Sequence, residues 1–275
     1  MLHQSRFAIG SYPYFRYPLE LFLDTASHLG YSFVELWAAS PHLFPHALDE
    51  VERKRIRGMI KSKGLNVCCI TPEQVFYPYN LAHKDEKLRR LSIEHFIDCI
   101  DLAHELESPN VLVTAGCGYF HEPLQVMQER SFESVLELSM YAYKVGVSLL
   151  YETLTPLSSN IVNTPEQLHE MLLRLPDNVG AIADLGQIAY MKQDLGDYIR
   201  LFGSRLRHVH LHDSGEAIHM ALGDGWLDIT EQIQRLEHSG YKGLYSLEVN
   251  DIRYRLDPVK CDEQNLAWLK AHVLQ

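Results

Sequence analysis

The sequence predicts a (β/α)8 TIM barrel that occupies residues 1–275 as a single domain. Eight short runs rich in Val, Ile, Leu, Ala and Tyr recur along the chain, and an amphipathic helical segment follows each run. No change of composition and no low-complexity linker divides the sequence, and its 275 residues are a typical length for this barrel. A doubly wound open sheet, the alternative fold, would require a Gly-rich phosphate loop after an early strand, which the sequence lacks.

The eight predicted strands are nearly continuous apolar runs, which is typical of parallel strands buried on both faces. A Gly precedes several of them and fits the position just after a helix, where Gly enters the left-handed region without a side-chain penalty. These glycines are Gly30, Gly64, Gly146 and Gly240. The strands are predicted at 7–10, 33–37, 66–71, 110–115, 147–152, 180–184, 206–211 and 244–248.

The helices between these strands carry their own start signals. Thr164, Pro165 and Gln167 follow the pattern of an N-cap, a first-turn Pro and a capping box. Asp228 begins a second box, and Asp257 precedes the Pro that opens the last helix. Local start and stop signals therefore agree with the alternation of strand and helix.

Charge and composition exclude several classes of partner. The formal net charge is −11, from 36 acidic and 25 basic residues, without a block of Lys and Arg. Binding to phosphates needs clustered cations, so we exclude nucleic acid and acidic membranes as partners. No apolar run approaches the ~20 residues of a membrane span, and residues 1–10 lack the layout of a signal peptide. The five cysteines form no CxxC motif, which disfavours a disulfide framework. We expect a cytoplasmic protein.

Four polar residues stand at the ends of the last four predicted strands. They are Glu152, Asp184, His210 and Glu248, and each closes an apolar run. In a barrel of parallel strands the carboxyl ends meet on one face, where ligands and catalytic groups gather. Carboxylates and imidazole without thiolate are the ligands of a divalent metal such as Mn²⁺, Mg²⁺, Co²⁺ or Fe²⁺. The sequence therefore indicates a metal site on this face.

A structural role is the alternative for each of these side chains. A single interior glutamate is as readily explained by a pairing with Lys or Arg, but four buried ionisable groups at adjacent strand ends are costly unless a cation lies between them. The histidine is ambiguous in a different way. His208, His210 and His212 alternate onto one face of the seventh strand, so a period of two residues cannot choose among them.

Two loops have the composition of ligand-binding segments. TPEQVFYPYN, after the third strand, combines Phe76, Tyr77 and Tyr79 with Pro in the manner of an aromatic pocket wall. A loop that only covers the mouth of the barrel is an equal alternative. HMALGDGWLD, after the seventh strand, places His219 and Trp226 around two glycines, as in a mobile lid or a plain turn into the next helix.

Taken together, these motifs resemble the xylose isomerase-like TIM barrel superfamily of sugar isomerases and epimerases, and within it the bacterial fructoselysine 3-epimerases. The similar segments span nearly the whole chain. ETLTPLSSN and TPEQVFYPYN are characteristic of that subgroup, whereas HVHLHD and GDG are shared by the wider superfamily. The segments are, in order, ELWAASPHLFP, TPEQVFYPYNLA, ETLTPLSSNIV, IADLGQIAY, RHVHLHDS, ALGDGW and YSLEVN.

The resemblance implies one divalent metal ion, Mn in preference to Mg, Co, Ni or Zn, held by Glu152, Asp184, His210 and Glu248. It also implies that the two glutamates are the catalytic residues, acting as acid and base on opposite faces of a sugar. The implied activity is that of an isomerase, a 3-epimerase of fructoselysine or a related ketose. The implied mechanism is proton abstraction at carbon three through a metal-stabilised enediolate. The partner is then a small-molecule sugar, and a homo-oligomer stays open.

The resemblance also indicates which residues contact the substrate. Gln187 stands where many ketose 3-epimerases carry a His, which the fructoselysine-type enzymes also lack. Cys117, at the predicted end of the fourth strand, stands where the fructoselysine enzyme is expected to carry a His. The expected substrate-binding residues are Gln187, His219, Cys117, Glu73, Tyr77, Asn160 and Trp37.

Other activities on the same fold remain open at this point. A metal-dependent dehydratase of the inosose or dehydroshikimate type also begins with proton removal beside a metal-bound carbonyl. A non-catalytic sugar-binding barrel would retain the fold, with its metal site as a relic. The zinc endonucleases of the superfamily need additional His ligands, of which this sequence offers only His42.

Overall fold

Parallel β-strands close into a barrel in the computed structural model of the chain, which describes residues 2–74 and 78–275. Each strand pairs with its neighbours in sequence, and the eighth closes the ring by pairing with the first, with Ala8 opposite Ser246. The strands are β1 (Phe7–Gly10), β2 (Phe33–Ala38), β3 (Asn66–Pro72), β4 (Asn110–Val113), β5 (Ser148–Glu152), β6 (Val179–Asp184), β7 (Leu206–Leu211) and β8 (Leu244–Leu247). The predicted (β/α)8 barrel is confirmed.

Helices surround this barrel and connect each strand to the next. One helix follows each strand, except that two short helices follow β6. The helices are α1 (Leu19–His28), α2 (Glu50–Ser62), α3 (Glu86–Glu105), α4 (Leu124–Val145), α5 (Pro165–Arg174), α6 (Leu185–Tyr190), α7 (Leu195–Phe202), α8 (Ile229–His238) and α9 (Pro258–His272). None of the helices in the described part of the chain is long and apolar enough to cross a membrane.

The predicted N-caps are confirmed by the observed helix ends, but at Asp228 only one half of the predicted capping box is found, the bond that its side chain accepts from the backbone N–H of Glu231. Thr164 and Gln167 form the reciprocal capping box at the start of α5, and the side chains of Asp228 and Asp257 accept backbone N–H groups of α8 and α9. The four predicted glycines all have φ between +70° and +85°. These short-range features could be predicted because each depends on residues that are close in sequence.

The end of β4 differs from the prediction. The strand ends at Val113 and not at residue 115, because the backbone N–H of Thr114 donates to the side-chain oxygen of Gln74 at 2.8 Å instead of continuing the ladder. Cys117 therefore lies in the following loop and not at the strand end. In that loop, Asn80 Oδ1 accepts the backbone N–H of Cys117 at 3.0 Å.

The two larger clusters of buried apolar side chains lie around and inside the barrel. A large cluster lies between strands and helices and includes the predicted α3 stripe of Phe96, Ile100 and Ala103, all fully buried. A smaller cluster inside the barrel comprises Ala8, Cys68, Cys69, Leu112, Leu150 and Ile182. Polar side chains take over the interior toward the carboxyl ends of the strands, where the candidate site lies.

Candidate metal centre and its cavity

The four predicted ligands lie together at the carboxyl ends of the strands. Glu152 and Asp184 are the last residues of β5 and β6, His210 lies within β7 beside Asp184, and Glu248 directly follows β8. One donor atom from each residue lies within 4.8 Å of the others. The first three are buried, and the Glu248 side chain is 13% exposed. Adjacent strands of a closed barrel thus bring together residues that span nearly a hundred positions of sequence.

A single nitrogen of His210 joins the two glutamates. Its Nδ1 lies 2.9 Å from Glu152 Oε1 and 2.8 Å from Glu248 Oε2. Only the approach to Glu152 has hydrogen-bond geometry, so Glu248 Oε2 is buried without a hydrogen-bond partner among the described residues. A buried carboxylate oxygen without a donor is costly unless a cation binds it. Oxygen and imidazole donors at this spacing therefore fit a divalent metal ion.

Glu35, in the middle of β2, is a site residue that the sequence analysis missed. Its carboxylate is fully buried and lies 3.1 Å from Nε2 of His210. It also lies 2.9 Å from Nε2 of His208, and it accepts the hydroxyls of Tyr12 at 3.0 Å and Thr71 at 2.6 Å. A carboxylate on one imidazole nitrogen leaves the other free to bind a metal and holds the ring in place. The available signal was a charged residue inside the apolar run FVELW.

The three histidines of the β7 segment have different partners. His208 contacts Glu35 and forms a separate group of candidate donors with it and Cys68. His212 lies 2.8 Å from Asp184 Oδ1 through Nε2, and its Nδ1 accepts the backbone N–H of His219 at 2.9 Å. Asp184, Glu248, His212 and His219 also meet the distance criterion for a metal group. His210 alone contacts both glutamates, and its role as the ligand stays a prediction.

Ionisable groups in the centre strongly shift one another's pKa values. Burial raises the pKa of Glu152 to about 8, although the neighbouring His210 opposes the shift. Burial acts to lower the pKa of His210, but the charges of Glu248, Glu35 and Glu152 outweigh it and raise that pKa well above its ordinary value. Burial acts to raise the pKa of Asp184, but His212 outweighs it and holds the value well below the ordinary range. The cluster as a whole holds protons that a metal ion would replace.

A cavity of about 420 Å³ opens above this cluster. Glu152 and Glu248 line it, so the two glutamates face the space that a substrate would occupy. Gln187 also lines it and is fixed by its side-chain amide, which donates to Asp184 Oδ2 at 3.0 Å. Other expected substrate-binding residues on its wall are Trp37, Glu73 and His219.

Two expected substrate-binding residues lie elsewhere. Cys117 and Asn160 are not among the described residues that line this cavity. The Asn160 side chain instead bonds both backbone groups of Gly118, at 2.9 and 3.0 Å, and so ties the β5 loop to the β4 loop. Cys117 lines a smaller cavity with Asn80 and neighbouring residues. Their expected contact with substrate rests on the resemblance alone.

The predicted aromatic wall after β3 is only partly described. Phe76 and Tyr77 lie outside the described residues. Tyr79 is buried and stacks on His95 with ring centroids 3.6 Å apart, so its ring packs against α3. Among the described residues, the aromatic side chains that line the cavity are Tyr12, Phe15 and Trp37, from the segments that follow or end β1 and β2.

The loop after β7 is held closely to the barrel. The carboxylate of Asp213 accepts the backbone N–H groups of Ser214, Gly223 and Leu227 at 2.8, 3.0 and 3.1 Å. His219, with φ of +59°, is held in the left-handed region and lines the cavity. Of the two predicted alternatives, this network of bonds favours a fixed turn over a mobile lid.

Comparisons with known proteins place the chain among sugar epimerases. The family model described as "Xylose isomerase-like TIM barrel" matches residues 23–272. The chain is 31% identical over 237 residues to the fructoselysine 3-epimerase of Shigella flexneri, covering 85% of this chain and 86% of that one. The structure of D-psicose 3-epimerase with D-tagatose from Clostridium cellulolyticum H10 superposes with a TM-score of 0.82 at 20% identity, covering 97% of each chain. A structure of IOLI protein with a binding zinc atom gives a TM-score of 0.82 at 17% identity, covering 98% and 99%.

Replacing Glu35 tests whether this carboxylate positions His210 for metal binding. We expect Glu35→Gln to weaken Mn²⁺ binding about 10- to 100-fold, because the neutral amide holds the imidazole less firmly. Titration calorimetry of the metal-free protein measures the affinity, and thermal unfolding checks that the variant is folded. Thr71→Val, which removes one hydrogen bond to Glu35 without changing charge, should have a smaller effect. An unchanged affinity in folded Glu35→Gln would refute this role.

Metal binding should release protons at neutral pH. The pKa values of Glu152 and His210 are both raised, so in the metal-free protein both groups carry a proton at pH 7. Because ligands must be deprotonated, the apparent Mn²⁺ affinity should rise with pH up to at least about pH 8, where Glu152 loses its proton in the metal-free protein. Calorimetry at pH 7 in two buffers of different ionisation enthalpy counts the released protons. Binding without proton release would contradict these pKa shifts.

Proposed function

Since the chain belongs to the xylose isomerase-like TIM barrel family, we propose that it is a divalent-metal-dependent ketose 3-epimerase that acts on fructoselysine or a related ketose. The relative from Shigella flexneri is a fructoselysine 3-epimerase, which supports the substrate, and its 31% identity over most of both chains supports a shared site. The observation that carries the proposal is the placement of Glu152 and Glu248, which flank one nitrogen of His210 and both line the cavity.

Epimerisation at carbon three needs two proton-transferring groups, one on each face of that carbon. One carboxylate removes the proton at carbon three, and the other returns a proton to the opposite face of the same carbon. Glu152 ends β5 and Glu248 follows β8, so they reach the cavity from separated strands.

Glu152, Asp184, His210 and Glu248 are the residues that would hold the metal. A divalent ion bound there supplies Lewis-acid stabilisation of the negative charge that develops on the substrate oxygens. The oxygen-rich donor set favours Mn²⁺, and the structure of IOLI protein, which is similar in fold, contains a binding zinc atom. Gln187 and His219 line the cavity beside these ligands and can form hydrogen bonds to sugar hydroxyls.

Removing either glutamate carboxylate should abolish epimerisation. We expect Glu152→Gln and Glu248→Gln each to lower kcat by at least about 100-fold, because the amide cannot transfer the proton. Turnover of fructoselysine in deuterated water, followed by NMR, reports both product and deuterium at carbon three. Glu133→Gln, an exposed glutamate of α4, is the matched control and should retain wild-type turnover.

The same assay distinguishes the competing mechanisms. Conversion without deuterium at carbon three would refute the two-base scheme. A product that has lost the mass of one water would identify a dehydratase. Sugar binding without any conversion, with metal present, would identify a non-catalytic barrel.

Metal removal should abolish activity reversibly. We expect dialysis against a chelator to inactivate the protein and added Mn²⁺ to restore turnover, because the buried ligand carboxylates lose the cation that compensates them. Elemental analysis before and after dialysis measures the bound metal. Full activity in protein shown to be metal-free would refute metal dependence.

A further inference from the structure

A cation without a counter-ion stands at the mouth of the cavity. Arg255 is the one Lys or Arg among the described residues that line the cavity. It takes part in none of the ion pairs found in the described part of the chain, and its Nε is buried without a hydrogen-bond partner there. The one hydrogen bond of its side chain to a described residue, from Nη2 to the backbone oxygen of Asn250, is long at 3.5 Å. An unpaired guanidinium donor in a ligand cavity indicates a missing anion.

Arg255 is held in position by an aromatic ring. Its guanidinium lies over Phe15, with the central carbon 4.9 Å from the ring centroid. Stacking of this kind fixes the plane of the guanidinium while leaving its in-plane N–H donors free. The geometry suits a carboxylate or a phosphate, either of which accepts two parallel N–H bonds from arginine.

Aromatic contacts connect Arg255 to the catalytic cluster. Tyr12 donates to Glu35, the partner of His210, and the Tyr12 and Trp37 rings are 6.3 Å apart. The ring centroids of Trp37 and Phe15 are 6.4 Å apart, and the guanidinium of Arg255 lies over the Phe15 ring. Burial decreases along this path. Glu35 and Tyr12 are buried, whereas Trp37, Phe15 and Arg255 are half-buried. Arg255 thus stands at the outer end of an aromatic wall that starts beside the candidate metal ligands.

Charge on the rest of the wall favours a single place for an anion. The acidic side chains that line the cavity are Glu73, Glu152 and Glu248. Negative side chains repel an anion, whereas Arg255, the one Lys or Arg among the described lining residues, attracts an anionic part of a ligand. The reacting end of the ligand must meanwhile reach the two glutamates of the metal cluster.

We infer that Arg255 binds an anionic substituent carried at the end of the substrate remote from the reacting carbons. This inference rests on the proposed function and narrows its substrate class. The substrate is a ketose extended by a carboxylate, as in a sugar linked to an amino acid, or by a phosphate ester. The linking chain lies along Phe15 and Trp37, while the ketose lies between Glu152 and Glu248.

Four ketoses and two arginine variants test the inference. The substrates are fructoselysine, its decarboxylated analogue fructosyl-cadaverine, fructose 6-phosphate and fructose. We expect Arg255→Gln to lower kcat/KM about 10- to 100-fold for the anionic substrate that the enzyme prefers, without such a loss for fructosyl-cadaverine and fructose, which have no anionic end. Arg253→Gln is the control, because Arg253 is exposed, lies two residues away and pairs with Asp251.

The outcomes separate the two anions and the two proposals. A loss confined to fructoselysine assigns a carboxylate, and a loss confined to fructose 6-phosphate assigns a phosphate. Equal losses for all four substrates, or none, would overturn the inference. If the wild type converts none of them, the proposed function fails. Calorimetric binding of fructoselysine and fructosyl-cadaverine then tests the anion-binding role of Arg255 independently of catalysis. Carboxylate-dependent binding that disappears in Arg255→Gln would uphold the subsite, and its absence would overturn it.

Discussion

The contact between Glu35 and His210 is the interaction on which the candidate site depends. Glu35 is a fully buried carboxylate, and its charge is compensated by two imidazoles and two hydroxyls. The charges of His210 and His208 hold its pKa well below the ordinary range, although burial acts in the opposite direction. Because Glu35 engages Nε2 of His210, Nδ1 faces Glu152 and Glu248. Orientation of one ring therefore decides how the two glutamates meet.

The barrel makes such a concentration of charge tolerable. Its interior is apolar toward the amino ends of the strands and polar toward the carboxyl ends, so the ionisable groups form one connected network and not isolated buried charges. Registers between neighbouring strands place Asp184 beside His210 and Glu35 beside Cys69. Loops then complete the site, with Gln187 fixed by Asp184 and the β7 loop fixed by Asp213.

Two parts of the cavity have opposite electrostatic character. The inner part carries the glutamates and fits a divalent cation, whereas the mouth carries the unpaired Arg255 on an aromatic wall. A substrate with a neutral ketose at one end and an anion at the other matches both parts. The inner part would determine the reaction, and the mouth would select which ketose reaches it.

Sequence alone determined the eight strands, the helix caps and the four polar strand ends, because each depends on residue pattern over a few neighbouring positions. It could not choose among His208, His210 and His212, which share one strand face, and it missed Glu35 and Arg255. Only the tertiary structure shows which partners these residues contact, since Glu35 and His210 are 175 residues apart in sequence and meet through barrel closure. It likewise placed Cys117 and Asn160 off the described cavity wall, because the side chain of Gln74 ends β4 early and Asn160 bonds Gly118. Contacts of this kind follow from strand register and side-chain packing, which local residue patterns do not specify.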